Sequence, residues 1–484
     1  MKRCLGAAEF YRRLRESRPR TGASLLESTE PTVRGGRISL VAVEPLVRLV
    51  LGGGELRAVS LNDRGPALTG LLPLRPLPKE LDDQLTDEQR LLAPSVFDEV
   101  RSLVGLVEDE APTNSADFPI CVLGAFGFDL IESSATTATG YDLMLAIDGV
   151  AFDHLEQTVR VTCRSLPTEL DSEAEERVRD LCALLAEPAR EAPTLVTPAR
   201  LPDLGEPATF LRGIENVLAH IRSGEVFQAV LSHQLVIESE AKPFDVYSHL
   251  VQANPSPHHF FIELESGELL GASPEPAVTV RGQRVELTPI AGTRPRGRDA
   301  AGNIDAERDR LLANELVDDP KEQAEHAMLV DLARNDLARI SQTGTRRVLG
   351  APQVERFSHV QHLVSRVRGE LREGFDALTA YAACANMGTL TGAPKSRATA
   401  LIAELEPVAR GFYGGAVGVL TAAGDLTTAI TIRALHHARG RYCLQAGAGI
   451  VAASDPQREL EEVRSKLGAP YSALVAAIES DVTR

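Results

Sequence analysis

Two stretches of this sequence with helical patterning carry carboxylates in pairs. Glu322 and Glu325 are three apart in KEQAEHAMLVDLARND, and Glu459 and Glu462 are three apart in PQRELEEVRSKLG, where Lys466 follows one turn on. Residues three apart share one face of a helix, so each pair projects in one direction. A single pair of this kind is ordinarily a solvated face. Two pairs facing each other across a cleft present four negative charges, which a hard dication with oxygen ligands would neutralise. No His or Cys accompanies the glutamates, which favours Mg2+ over Zn2+. Mg2+ keeps positions open for water or substrate oxygens, so a carboxylate or phosphate substrate follows. Further negative charge could be met by Arg433, by Lys466 and by QAGAGIV, where Gly447 and Gly449 let backbone N–H groups approach an anion. The plainer readings are a surface strand residue for Arg433 and a β-bulge for AGAG. GTLTGAPK is not a nucleotide loop, because Lys395 follows Pro394 where a Walker A motif needs Gly, and neither GxSxG nor GxGxxG occurs.

The elements that must hold these residues follow from patterning. Phe210, Ile214, Val217, Leu218 and Ile221 recur at helical spacing, AVLSHQLVIE reads as a strand, and DVYSHLVQAN reads as a short helix. HFFIELESGELLGAS and PAVTVRGQRVELTPI read as hairpins turned at Ser266-Gly267 and Gly282-Gln283, and EQAEHAMLVDLARNDLARI as a helix. The segment from Gly414 to Val451 reads as a three-strand antiparallel meander turning at Gly424-Asp425 and Gly440, with Arg433 in its middle strand, and a last helix runs through PQRELEEVRSKLG. This is an α+β body with a large antiparallel sheet rather than a doubly wound fold. Pro188, Pro193, Pro198, Pro202 and Pro207 mark a linker, giving an N-terminal region 1–187, a linker 188–207 and a catalytic region 208–478.

Composition bounds the function. With 484 residues the chain has room for two or three compact units at roughly 150 residues each. A formal charge of −17, spread along the chain, opposes a nucleic-acid surface. No run approaches the roughly 20 apolar residues of a membrane span, and the basic start MKRCLGAAEFYRRLRESRPR leaves no room for a signal-peptide core. Cytoplasmic location, without membrane or nucleic-acid partners, is the expectation. Cys4, Cys121, Cys163, Cys182, Cys384 and Cys443 are scattered, so each reads as a small buried hydrophobe rather than a zinc ligand or half of a disulfide.

From about Phe210 to Leu474 the chain resembles the chorismate-utilising enzymes, and within them the large subunits of anthranilate synthases. The resemblance runs through SGEVFQAVLS, NPSP, GASPE, PIAGTRPRG, DPKEQAEHAMLVDLARND, ERFSHVQHLVSRVRGEL, MGTLTGAPK, YGGAVG, TAITIR and QAGAGIV. It continues more thinly into the N-terminal part through SLLES and GAFGFDL. It implies two interlocked subdomains around large antiparallel sheets, with Mg2+ and chorismate in the cleft between them. By the same resemblance Glu325 and Glu462 would be direct metal ligands, and Glu322 and Glu459 would act through bound waters. Gly292, Thr293, Tyr413, Arg433, Gly447, Gly449 and Lys466 would hold substrate, and Thr389 would face its ring.

The family shares one first act, addition of a nucleophile at C2 of chorismate as the C4 hydroxyl leaves, and that hydroxyl needs an acid. Glu275 of GASPE matches the acid. Relatives that add water use a Lys where this chain has Gln228, whose amide takes no proton at pH 7. Relatives that aminate C4 carry a nucleophilic Lys where this chain has Ala291. External ammonia attacking C2 remains. His362 matches the histidine of the elimination half, and His359 reads as structural. The product is anthranilate with pyruvate, or 2-amino-2-deoxyisochorismate if elimination does not follow; a ligand-sensing homologue without activity is a third reading. No glutaminase is recognisable in the chain, so glutamine-derived ammonia requires a separate amidotransferase subunit. Resemblance to the tryptophan-pathway enzymes also places Leu26, Glu27 and Ser28 of SLLES, with Asn254, Pro255, Ser256 and Pro257 of NPSP, around a feedback site for tryptophan, where Glu27 would pair with the ligand's ammonium.

Overall fold

The computed structural model describes residues 6–18, 22–28, 37–75, 85–107, 117–130, 139–188, 197–205, 207–299, 303–350, 352–357 and 360–482. Cys4, Pro193 and His359 lie outside the described residues.

Two ten-stranded antiparallel sheets stack face to face, and a three-stranded sheet stands beside them. The first sheet runs, in spatial order, through Gly392–Ala393, Gln228–Glu238, Arg441–Val451, Ala434–Ala438, Gly267–Ser273, His258–Leu264, Ser24–Glu27, Ile38–Ala42, Gly149–Asp153 and Thr158–Thr162. The second runs through Arg347–Val348, Val367–Glu370, Arg284–Leu287, Pro276–Arg281, Leu426–Ile430, Ala416–Thr421, Cys121–Phe126, Thr139–Ala146, Val47–Gly52 and Glu55–Ser60. Both sheets therefore join strands from before and after the proline-rich stretch. In each, the two sets meet in one register, Ser24–Glu27 on His258–Leu264 and Cys121–Phe126 on Ala416–Thr421.

Burial follows from this stacking. The interior strand Val47–Gly52 is buried on both faces, whereas its edge neighbour Glu55–Ser60 alternates exposed and half-buried residues, with Glu55 and Arg57 facing outward. Charges on an edge discourage pairing with another chain. Phe260, Ile262, Leu123, Met144, Val417 and Val419 fill the layer between the sheets. Helices Ala208–Arg222, Pro243–Ala253 and Pro456–Val482 cover the outer face of the first sheet, while Asp98–Gly105, Pro320–Ala338 and Ala377–Cys384 cover the second. Cys182 departs from expectation: it is exposed on helix Asp171–Ala186, while Cys121 and Cys384 are buried and Cys163 and Cys443 are half-buried.

The expected meander is also corrected. Leu426–Ile430 belongs to the second sheet and Ala434–Ala438 to the first, so Arg433 is not in a strand but in the connection that changes sheets. The reverse change occurs at Pro274 and Glu275, between Gly267–Ser273 and Pro276–Arg281. The two connections are stitched together, Ile430 N–H donating to the Glu275 carbonyl (3.0 Å) and Ala272 N–H to the Arg433 carbonyl (3.1 Å). Arg433 adopts φ 52°, a left-handed conformation that breaks the strand between the two sheets.

An aromatic cluster ties the N-terminal helix Ala7–Ser17 to the later part of the chain. Phe261 lies 5.5 Å from Tyr11, 5.4 Å from Phe244 and 5.7 Å from Tyr247, ring centre to ring centre. Phe261→Ala leaves a void among three rings fixed on two helices, and the expected loss is about 3–5 kcal/mol. Urea titration checks this, with the unfolding transition remaining single because the two regions share both sheets.

Candidate functional site

Glu275 stands where the chain passes between sheets. Thr389 Oγ1 donates to its Oε1 (3.0 Å), and Leu329, Leu332, Met387 and Ala277 line the small cavity of about 30 Å3 beside it. By surface exposure the residue is only half-buried, but its carboxyl is packed deeply enough that desolvation raises its pKa from 4.5 to about 7, against the opposing effects of Thr389 and Lys466. A carboxyl so placed still carries its proton near neutral pH and can donate it. Lys395 of the rejected nucleotide loop is structural: its Nζ pairs with Asp336 (2.8 Å) and bonds the Ala385 carbonyl.

Lys466 of the last helix acts on Glu275, and Arg433 of the other connection reaches the same helix. Helix Pro456–Val482 continues well beyond the predicted segment, with Pro470 in its interior. Pro470 has no N–H to offer the carbonyl four residues back, which is that of Lys466. Arg433 Nη1 takes that carbonyl instead (3.3 Å). Burial pushes the Arg433 guanidinium below its ordinary pKa, with Tyr413 and Glu462 pulling the other way. Lys466 Nζ bonds the Gly447 carbonyl (2.8 Å) and Glu462 (2.7 Å). The Tyr413 phenol lies against the Gly447 backbone, its pKa raised by burial. Gly447 and Gly449 are regular members of strand Arg441–Val451, each paired across to Gln228–Glu238, so AGAG is not a bulge. A Cβ at Gly449 would stand 3.1 Å from Gln228 Nε2. Gln228 is 3 % exposed, and its Oε1 has no hydrogen-bond partner.

Sequence reasoning missed the residue that braces this wall. Arg410, 4 % exposed, donates to Glu406 (2.6 and 2.9 Å), to the Leu390 carbonyl (2.6 Å) and to the Val230 carbonyl (2.7 Å). Its guanidinium also lies 4.5 Å above the Phe128 ring and 5.7 Å above that of Tyr413. One side chain thus sets Tyr413 and the segment carrying Thr389. The available signal was an Arg beside YGG in ARGFYGG with a Glu four residues upstream.

The paired glutamates occupy the first two turns of their helices, each opened by a proline, Pro320 and Pro456. Helix N-termini favour negative charge, and proline suits the first helical position. The two helices bring the pairs near one another: the Glu325 carboxyl is raised by burial and then by Glu322, with Glu462 adding to it, and that of Glu459 by burial and by Glu462. Glu322 leans on Arg294 (3.3 Å) and Glu462 on Lys466. Among the described residues no group of three or more acidic, His or Cys side chains converges to metal-ligating distance. Glu322 and Glu462 turn to their neighbouring cations, and Glu459 bonds Ser454. Carboxylates from two helices, with those of Glu325 and Glu459 raised by burial and then by an acidic neighbour, offer only oxygen and fit a hard dication.

The three-stranded sheet contributes His362. Its Nδ1 lies 2.9 Å from the Gly292 carbonyl, which only accepts, so Nδ1 carries the proton and Nε2 the lone pair. Burial lowers the pKa of the ring and Arg433 lowers it further, keeping the imidazole neutral at pH 7. Gly292, at φ +65°, has room for no side chain, since a Cβ would come 2.8 Å from Glu322 Oε2. Thr293 pairs with His362 in register, and Ala291 is buried beside it, paired with Leu363.

SLLES and NPSP also meet, away from Glu275. Glu27 pairs with His259 and Leu26 with Phe260, directly after the Asn254–Pro257 turn. Leu26, Ser28, Ile38, Leu40, Pro257, Val417 and Ala429 line a cavity of about 540 Å3 between the two sheets. The Ser28 hydroxyl is buried without a hydrogen-bond partner. Glu27 lines the cavity as well, with its carboxylate turned away from it. Strand alternation turns its carboxylate to Tyr247, whose hydroxyl donates to Oε2 (3.0 Å), opposite to the face that Leu26 and Ser28 present. On the NPSP side, the Ser256 hydroxyl donates to the Ser273 carbonyl and Asn254 Nδ2 to that of Ala272.

A family model described as chorismate binding enzyme matches residues 79–472. Anthranilate synthase component 1 of Vibrio cholerae is 39% identical over 95% of this chain and 92% of its own length. The pyocyanine-specific anthranilate synthase component 1 of Pseudomonas aeruginosa is 40% identical over 92% and 88%. The crystal structure of anthranilate synthase component I from Streptococcus pneumoniae superposes with a TM-score of 0.70 at 30% identity, covering 90% of this chain and 92% of that one. Likeness to the menaquinone-specific isochorismate synthase of Escherichia coli, TM-score 0.69 at 19% identity over 97% and 91%, is one of fold.

The raised carboxyl of Glu275 is open to direct measurement. Infrared difference spectra of the protein without substrate, taken across pH, are expected to show a buried carboxyl titrating near 7 that disappears in Glu275→Gln. In Thr389→Val the midpoint rises, because the lost hydrogen bond favoured the charged form. A midpoint in the ordinary carboxylate range would refute the assignment.

Proposed function

The chain belongs to the family of chorismate binding enzymes, and on that premise we propose that it is an anthranilate-forming large subunit, converting chorismate and ammonia to anthranilate and pyruvate. The observation that carries this reading within the family is the buried Gln228 amide on the wall formed with Gly449, where a water-adding enzyme needs a base. Ala291 likewise supplies no nucleophile. The attacking nitrogen must then come from outside the protein. Relatives named anthranilate synthase component 1 match nearly the whole chain, which supports the same conclusion.

In this reading ammonia's lone pair forms the bond at C2, the ring double bonds shift, and the C4–O bond breaks as Glu275 passes its proton to the leaving hydroxyl. The attacking nitrogen releases a proton. His362, with its lone pair on Nε2, then takes the C2 proton as the bond from C3 to the enolpyruvyl oxygen breaks, and the departing enolpyruvate becomes pyruvate by taking a proton at its methylene carbon. Tyr413, Arg433, Lys466 and the Gly447–Gly449 backbone hold the substrate's carboxylates, and Thr389 orients Glu275. Gly292 and Thr293 belong to the same wall through His362 and Glu322. Glu322, Glu325, Glu459 and Glu462 would hold Mg2+, which when bound supplies positive charge that neutralises them together with the ring carboxylate. Glutamine serves through a separate amidotransferase subunit. Among the described residues no helix is long and apolar enough to cross a membrane.

The isolated chain is expected to turn over chorismate with ammonium and Mg2+, faster as pH rises and ammonium deprotonates, and to use glutamine only after an amidotransferase subunit is added. Glu325→Gln and Glu462→Gln each lose about a hundredfold or more while remaining folded. Full rates in EDTA would refute the metal assignment. Isochorismate, salicylate or 4-amino-4-deoxychorismate as the main product by mass would refute the subclass.

We further infer that the cavity between Leu26, Ser28 and Pro257 receives tryptophan as a feedback inhibitor. The unpartnered Ser28 hydroxyl and the Ser256 contact to Ser273, two residues before Glu275, support a link from this cavity to the acid. Glu27, which also lines the cavity, holds Tyr247 through Oε2 and would meet the ligand's ammonium by turning toward it. Ser28→Ala and Ser256→Ala are expected to relieve inhibition with little change in uninhibited turnover, read as a shift of the tryptophan dose curve. A wild-type rate unchanged by millimolar tryptophan would remove the regulatory reading.

A further inference from the structure

We propose that Asp336 recharges Glu275, a proton entering from solvent at Asp336 and crossing the small cavity that the two carboxyls share; this rests on the reading of Glu275 as the acid. Apart from Glu275, Asp336 is the one titratable side chain among the described residues that line this cavity. Its other walls are apolar, as at Leu329, Leu332 and Ala333, or carry a hydroxyl, as at Thr288 and Thr389. A volume of about 30 Å3 suits one or two water molecules, at roughly 10–15 Å3 each. The two carboxyls and the threonine hydroxyls are the polar partners such waters need.

Asp336 stands between the cavity and the surface. It is 7 % exposed, on helix Pro320–Ala338 directly after the exposed Arg334 and Asn335. Lys395 Nζ donates to its Oδ2 (2.8 Å) and to the Ala385 carbonyl (3.2 Å), which fixes Asp336 against the segment that carries Thr389. Among the described hydrogen bonds Asp336 uses only Oδ2, so Oδ1 is available to water. Lys395 and Arg339 are the cations that act on Asp336, and Lys466 is the one that acts on Glu275. The Cys384 thiol, also within reach of Asp336, is kept protonated by burial. Burial raises the Asp336 carboxyl against its two cations, so it takes up a proton more readily than an exposed aspartate does. The chemistry calls for such a route. In each cycle the C4 hydroxyl leaves as water with the proton of Glu275, and the carboxylate is left behind the bound ring among Leu329, Leu332 and Met387. Glu275 then takes a proton from a cavity water, that water takes one from Asp336, and Asp336 takes one from solvent. Each O–H bond formed is matched by one broken.

The test uses the full-length chain with ammonium and Mg2+, following anthranilate by its fluorescence in two regimes. With enzyme in excess, Glu275 starts protonated and acts once; with chorismate in excess, it must be recharged in every cycle. Asp336→Asn keeps the shape of the side chain and removes the carboxyl that carries the proton. Its single-turnover rate is expected within about twofold of wild type. Its steady rate should fall on the order of tenfold and recover as imidazole buffer, a small proton donor, is raised. Ala333→Val fills the cavity while leaving both carboxyls in place, and should show the same split between the two regimes. It also decides the matter if Asp336→Asn does not fold, since removing one partner of a buried ion pair destabilises. Equal losses in both regimes would make Asp336 a merely structural residue and overturn the proposal. So would steady rates within about twofold of wild type in both variants, which would place recharging in the open cleft. Glu275→Gln separates the underlying reading: its single-turnover rate should collapse, and a rate equal to wild type would refute the acid assignment itself.

Discussion

Two backbone hydrogen bonds, Ile430 N–H to the Glu275 carbonyl and Ala272 N–H to the Arg433 carbonyl, hold together the places where the chain changes sheets, and the site is built on that seam. A strand that ends inside a sheet would bury its side chains in a core. A connection between sheets leaves them facing the gap, with the backbone still satisfied by the neighbouring connection. Glu275 and Arg433, a carboxyl acid and a guanidinium far apart in sequence, are thereby delivered to adjoining connections with fixed backbones. Their surroundings then tune them separately: Glu275 has apolar neighbours and one hydroxyl, and Arg433 has a helix carbonyl that Pro470 leaves free.

Around this seam the protein keeps charge out of water by pairing it. Arg410 and Glu406 are both buried and bonded to each other, and the remaining guanidinium donors go to main-chain carbonyls. Buried pairs seldom add net stability, because desolvation offsets the attraction. Here the return is position, since Arg410 lies over Tyr413 and fixes the backbone beside Thr389. The acidic helices show the opposite condition. Their carboxylates are crowded and only partly matched by Arg294 and Lys466, an arrangement that makes sense as a receptor for additional positive charge.

The layer between the sheets connects this site to the N-terminal region. SLLES is a strand of the first sheet, and its neighbour is the strand that follows NPSP, so a ligand between Leu26 and Pro257 would press on both. The Ser256 hydroxyl then reaches the carbonyl of Ser273, at the entry to the seam. The shared sheets thus give a physical path from an early segment to Glu275 that needs no movement of a whole domain.

Much of this was legible in the sequence. Glycine motifs, paired glutamates at helical spacing and alternating apolar runs identified the hairpins, the two acidic helices and the family, because these depend on local periodicity and on residue chemistry. The sequence by itself also determined what the chain lacks, a lysine at 228 and at 291. What it could not determine was anything set by contacts between distant segments. The run from Gly414 to Val451 looked like one meander because each strand is locally sound, and only the competition between two sheets for its strands broke it at Arg433. Glu27 looked like a ligand for an ammonium, but strand alternation and the hydroxyl of Tyr247, 220 residues away, turned it inward. Arg410 and Pro470 carried no chemistry as isolated residues. Their roles exist because tertiary packing placed a carbonyl and an aromatic ring where a buried guanidinium could use them, and no local pattern encodes that meeting.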